Sequence, residues 1–75
     1  MDYKDYIGSD ASVMLGKPIV KGTRITVALI LTKLSEGASP EDIILAYPNL
    51  TLTSISAALA YASDVVSNET LIAAA

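Results

Sequence analysis

Cysteine and histidine are both absent from this 75-residue chain. Without cysteine there is no disulfide or thiolate-metal staple, and without histidine the commonest metal ligand and general base are missing. Nucleophile-base constellations would have to combine serine or threonine with lysine, and no spacing marks one. Gly16 and Gly22 stand too far apart for a phosphate-binding loop, and Thr23-Arg24 follows where such a loop needs lysine and a hydroxyl. The chain therefore reads as a non-enzyme with no cofactor and no metal. Long apolar runs are also missing, since none approaches the roughly 18 residues of a membrane span. The opening Met1-Asp2-Tyr3-Lys4-Asp5 lacks the charged-then-apolar order of a signal peptide. A cytoplasmic protein without membrane contact is expected.

Positive charge is scarce too, with five basic residues against eight acidic ones and a net charge of −3. What there is lies in one place. Lys17, Lys21, Arg24 and Lys33 fall in residues 17–33 with no acid among them, whereas residues 1–16 sum to −2 and residues 34–75 to −5. An acidic protein with one purely basic segment has a polarised surface, and that polarity steers association with polyanions. The alternative is a solvated loop whose lysines keep the chain soluble.

Apolar residues, by contrast, are abundant at 52%. A chain this short buries only about 60–65% of its unfolded surface, so it holds more apolar area than it can hide. A homodimer or a protein partner is expected, and an unpaired strand edge in the N-terminal segment points the same way.

Three regions follow from the local patterns. Residues 1–25 form an extended basic arm or short β-hairpin, because Pro18 and the glycines at 8, 16 and 22 exclude helix. Ile19-Val20 and Arg24-Ile25 around Lys21-Gly22-Thr23 suggest the paired strands. Residues 26–66 carry three helical stripes. Val27, Ile30, Leu31 and Leu34 mark a helix over 27–36 that Gly37 caps. Ser39-Pro40-Glu41-Asp42 opens a second over 40–47, burying Ile43, Ile44 and Tyr47, and Pro48 stops it. Thr51 caps a third over 52–66, whose stripe is Leu52, Ile55, Leu59, Ala62 and Val66 with Ala58, Tyr61 and Val65 beside it. The short Tyr47-Pro48-Asn49-Leu50 link fits both a helix-turn-helix and a plain three-helix bundle. Residues 67–75 are a C-terminal tail. Tyr3, Tyr6, Tyr47 and Tyr61 suit core edges or dimer contacts better than base-stacking platforms.

Several of these strings, taken in order, also carry a family likeness. Asp5-Tyr6-Ile7, Ser9-Asp10, the run from Gly16 to Ile25, Ser39-Pro40-Glu41-Asp42-Ile43, Tyr47-Pro48-Asn49-Leu50-Thr51 and Ala57-Ala58-Leu59-Ala60-Tyr61-Ala62 resemble the bacterial domain-of-unknown-function family four-three-three. The resemblance implies a mainly α, homeodomain-like helix-turn-helix domain behind the N-terminal arm or hairpin. Members are often encoded beside PIN-like toxins, and many are regarded as antitoxins of type II toxin-antitoxin systems. It therefore implies a dimeric autorepressor that binds operator DNA and sequesters a PIN-like toxin. The other reading is a protein-interaction module that touches DNA weakly or never. This chain departs from the family at Thr26, where proline is usual, and at Thr53, Ser54 and Ser56, where an acid pair and an arginine or glutamine are common. A reading helix with no basic residue cannot hold phosphate by charge, so base contacts there would rest on Asn49, Thr51, Thr53, Ser54 and Ser56. Phosphate contacts fall to Lys17, Lys21, Thr23 and Arg24 in the arm, much as homeodomain arms reach the minor groove. The toxin contact is expected on Val65, Val66, Leu71 and Ile72, an apolar end suited to a groove.

Overall fold

The computed structural model describes residues 1–68, and three α-helices are its main regular elements. Helix α1 spans Val27–Ser35, α2 Pro40–Ala46 and α3 Leu52–Ser67. Each begins at a hydroxyl cap that accepts from the backbone amide three residues on: Thr26 from Leu29, Ser39 from Asp42 and Thr51 from Ser54. In α2 the cap is reciprocal, since the Asp42 carboxylate accepts from the Ser39 amide at 2.9 Å. Helix α1 ends on Gly37, whose φ of 98° lies in the left-handed region. The Gly37 amide donates to the Leu34 carbonyl and the Ala38 amide to that of Lys33, so two otherwise orphaned carbonyls are satisfied.

The N-terminal segment is built into the domain. Strand β1 (Ile7–Gly8) pairs antiparallel with β2 (Ile19–Val20), Ile7 opposite Val20. The partner expected for Ile19-Val20 was Arg24-Ile25, and the ladder is instead made with a strand 11 residues upstream. The expected turn still closes, because the Val20 amide donates to the Ile25 carbonyl at 2.9 Å and Ile19 bridges Thr26. Gly22 turns that corner at φ 80°. Strand β2 is thus paired on both sides, while β1 has a strand partner on one side only among the described residues. Tyr3, in the short 3-10 turn before β1, stacks edge-on against Tyr61 of α3 with ring centroids 5.6 Å apart. Its hydroxyl donates to Asp64, and this bond is the first cause that raises the phenol pKa, with burial adding to it.

One core unites hairpin and helices: Ile7, Val20, Val27, Ile30, Ile43, Leu50, Ile55, Ala57 and Ala58 are buried together. Helices α1 and α2 present the expected faces, with Val27, Ile30 and Ile43 buried and Leu31, Leu34, Ile44 and Tyr47 packed against them. Helix α3 does not. Of the expected stripe Ile55 is buried, and of the residues expected beside it Ala58 is buried and Tyr61 packs against the core, while Leu52, Leu59 and Val66 are 52%, 45% and 65% exposed. The buried face is Ser54, Ile55, Ala57 and Ala58. Small residues at 57 and 58 let the other elements approach α3 closely, and the leucines are left pointing outward.

Candidate nucleic-acid interface

The basic segment and the α2-α3 turn share an open cleft of about 650 Å³. One side is the β2 turn, with Gly22, Thr23 and Arg24. The other is Tyr47 and Asn49 from the link between α2 and α3, and Asp10 lies along the wall. The fold makes this juxtaposition because Leu50, 2% exposed, pins the link into the core while the Ile19-Thr26 bridge fixes the base of the turn. Thr23 holds the turn from within: its hydroxyl donates to the Val20 carbonyl at 2.8 Å and accepts from the Ile25 amide at 3.0 Å. Arg24 stands exposed beside it. A guanidinium at the rim and an amide side chain across from it supply donors for phosphate and both donor and acceptor for a base edge. Asp10 accepts from the Ser12 hydroxyl at 2.7 Å and its amide at 2.9 Å, bonds that hold its carboxyl below the usual pKa. That carboxylate stays ionised and repels phosphate from its wall, which leaves the Arg24 rim for an anion.

The sequence-predicted residues distribute unevenly about this cleft. Thr23, Arg24 and Asn49 line it together. Lys21 is exposed but tied down, its ammonium donating to the Lys4 carbonyl at 2.6 Å across the bare face of Gly8. Its charge is held at a set place. Lys17 sits apart, at the rim of an apolar hollow of about 260 Å³ with Pro18, Val27, Leu31 and Tyr61. Thr51 and Ser54 are occupied as the cap of α3, their hydroxyls 3.0 Å apart, and Ser54 is only 7% exposed. Ser54 is thus withdrawn from any base edge. Thr53 is exposed on the first turn. Val65 and Val66 are exposed at the far end of α3, whereas Leu71 and Ile72 lie outside the described residues. Asp10 and Tyr47 are cleft residues that the charge pattern missed. The Asp10-Ala11-Ser12 turn chemistry was the available signal for the first.

Comparison with known proteins places the chain in a family. The family described as "Protein of unknown function (DUF433)" matches residues 7–62, and the chain belongs to it. A solved structure of a DUF433 member protein from Anabaena variabilis superposes with a TM-score of 0.79 at 26% identity, covering 85% of this chain and 63% of that one. The chain thus spans less than two thirds of that relative's length. No curated protein matches the chain.

Proposed function

We propose that this protein is a small DNA-binding regulator of the antitoxin type, which meets the duplex through the cleft between the β2 turn and the α2-α3 link. The observation that carries this reading is the convergence of Thr23 and Arg24 with Tyr47 and Asn49 in one open groove. Arg24 supplies charge at the cleft, and Lys21 and Lys17 add charge outside it, Lys21 held against the Lys4 carbonyl and Lys17 at the rim of the apolar hollow. Asn49 supplies the amide that can pair with an adenine edge. The outward face of α3 contributes little in this scheme, because no basic residue lies anywhere on that helix. Toxin contact belongs at the far end of α3, where Val65 and Val66 are exposed. A second reading, a protein-interaction module without DNA, draws on that same uncharged α3 surface.

Salt dependence separates the two. If Lys17, Lys21 and Arg24 of two bound copies each neutralise one phosphate, log affinity falls against log salt with a slope of roughly −5. Arg24→Ala removes two of those contacts and flattens the slope to roughly −4, and Asn49→Ala lowers affinity for one sequence without changing it. The measurement is fluorescence anisotropy on a duplex taken from upstream of the protein's own reading frame. Absence of wild-type binding at low salt would favour the interaction module.

A further inference from the structure

Among the described residues that line the cleft, Asp10 is the one acid and Arg24 the one base. The turn that holds Asp10 uses only part of it. Its backbone carbonyl accepts from the Val13 amide at 2.9 Å, and the Ser12 hydroxyl and amide, at 2.7 and 2.9 Å, both donate to a single carboxylate oxygen, Oδ1. Among the described residues no hydrogen bond reaches Oδ2. Asparagine closes such a turn as well as aspartate does, so the turn alone gives no reason for a charge here. In a cleft that meets DNA the charge is unfavourable by itself. It opposes the phosphates that Arg24 attracts, and it lowers affinity unless the free oxygen finds a donor on the duplex.

We infer that Asp10 determines sequence specificity in the cleft, its Oδ2 accepting a hydrogen bond from the N4 amino group of a cytosine in the major groove, an inference that rests on the DNA-binding function proposed above. The donors of a duplex select the base. Phosphate oxygens only accept, and on the major-groove floor so do guanine O6 and N7 and thymine O4. The donors there are adenine N6 and cytosine N4. Adenine sets its N7 acceptor beside N6, and an ionised carboxylate has no proton to give it, whereas the Asn49 amide offers a donor and an acceptor together. Cytosine presents N4 with no acceptor of its own beside it. The side chains of the cleft therefore divide the duplex between them, Asn49 on an adenine, Asp10 on a cytosine and Arg24 on phosphate. Repulsion sharpens the choice, because a guanine or thymine in place of that cytosine sets an acceptor against a fixed negative charge. Ser12 supplies the fixing, and its two bonds keep the carboxyl ionised.

The test is fluorescence anisotropy at low salt on the duplex from upstream of the reading frame, with its base pairs inverted one at a time. Wild type should lose roughly 5–150-fold in affinity when one particular C·G pair becomes G·C. Asp10→Asn keeps the shape and the turn, so its thermal midpoint should match that of wild type. Its amide both donates and accepts, so it should bind the original and inverted duplexes within about twofold of each other. Discrimination at the adenine should stay intact in that variant, because Asn49 is untouched. A wild type that tolerates inversion of every C·G pair overturns the inference, while its salt-sensitive binding still upholds the DNA function. So does an Asp10→Asn variant that keeps the full preference for the C·G duplex. Wild type without any binding at low salt defeats the DNA function and this inference together, and leaves the cleft to a protein partner.

Discussion

Replacing Ile7 by alanine tests whether the N-terminal hairpin is part of the folding unit or an arm that can detach. Ile7 is 7% exposed and joins the same cluster as Ile30, Leu50 and Ile55. Truncating a buried isoleucine to alanine costs about 2–5 kcal/mol, from lost transfer energy and the cavity left behind. A 75-residue domain has roughly 4–11 kcal/mol to lose, taking about 0.05–0.15 kcal/mol per residue. A loss near 3 kcal/mol therefore removes a large share of the total and lowers the thermal midpoint by on the order of 15 °C. Urea unfolding followed by circular dichroism gives the measurement, with the midpoint shifting and the slope unchanged. Leu15→Ala is the matched control, because Leu15 is 92% exposed. A change within about 0.5 kcal/mol for Ile7→Ala would refute the reasoning, since it would mean that the helices hold together without the hairpin.

Strain and titration give further expectations. Leu15 sits at φ 58° and ψ 33°, between Met14 at φ 50° and Gly16 at φ 79°, so Leu15→Gly should stabilise the fold by about 0.5–1 kcal/mol in chemical denaturation. A destabilised variant would show that the leucine side chain has a contact of its own. The Asp42 carboxyl is held below its usual pKa by the backbone and hydroxyl of Ser39, and a depressed folded value means stability present at neutral pH and lost as pH falls through that value. Ser39→Ala should cost about 1 kcal/mol at pH 7 by uncapping the Asp42 amide, a loss that persists in acid, whereas the stability curve of Asp42→Asn should converge on wild type as pH falls. Tyr3 runs the other way: its raised phenol pKa gives stability that is complete below the ordinary tyrosine value and lost as pH rises through the folded one. Tyr3→Phe should abolish that alkaline loss, and an unchanged alkaline profile would contradict the Tyr3-Asp64 bond.

Local chemistry was the legible part of the fold. Ser39-Pro40-Glu41-Asp42, Thr51 and Gly37 act through neighbours a few residues away, and they cap the helices where the sequence places them. The α1 and α2 faces were readable for a similar reason, each having a single apolar stripe. On helix α3 apolar residues lie both on the expected stripe and beside it, and which of them turn inward depends on the size of the gap left by the other elements, a tertiary quantity that buries Ala57 and Ala58 and leaves Leu52 and Leu59 exposed. Pairing of Ile7-Gly8 with Ile19-Val20 was hidden because a long connection carries no turn signature, whereas the Lys21-Gly22-Thr23 corner does. In the candidate site, charge clustering pointed to Arg24 and the helix-turn-helix resemblance to Asn49. Their meeting in one cleft is a product of the fold. Ser54 misled because a serine on the first turn of a helix serves equally as a base reader or as part of a cap, and only burial distinguishes them.

Backbone amide mapping by NMR during titration with the upstream duplex tests the central claim most directly. The cleft account predicts the largest shifts at Gly22, Thr23, Arg24, Tyr47 and Asn49, weakening together as salt is raised, with Ser56, Leu59 and Ser63 unmoved by DNA. Shifts centred on the outward face of α3, or none at the cleft while the duplex is bound, would contradict it.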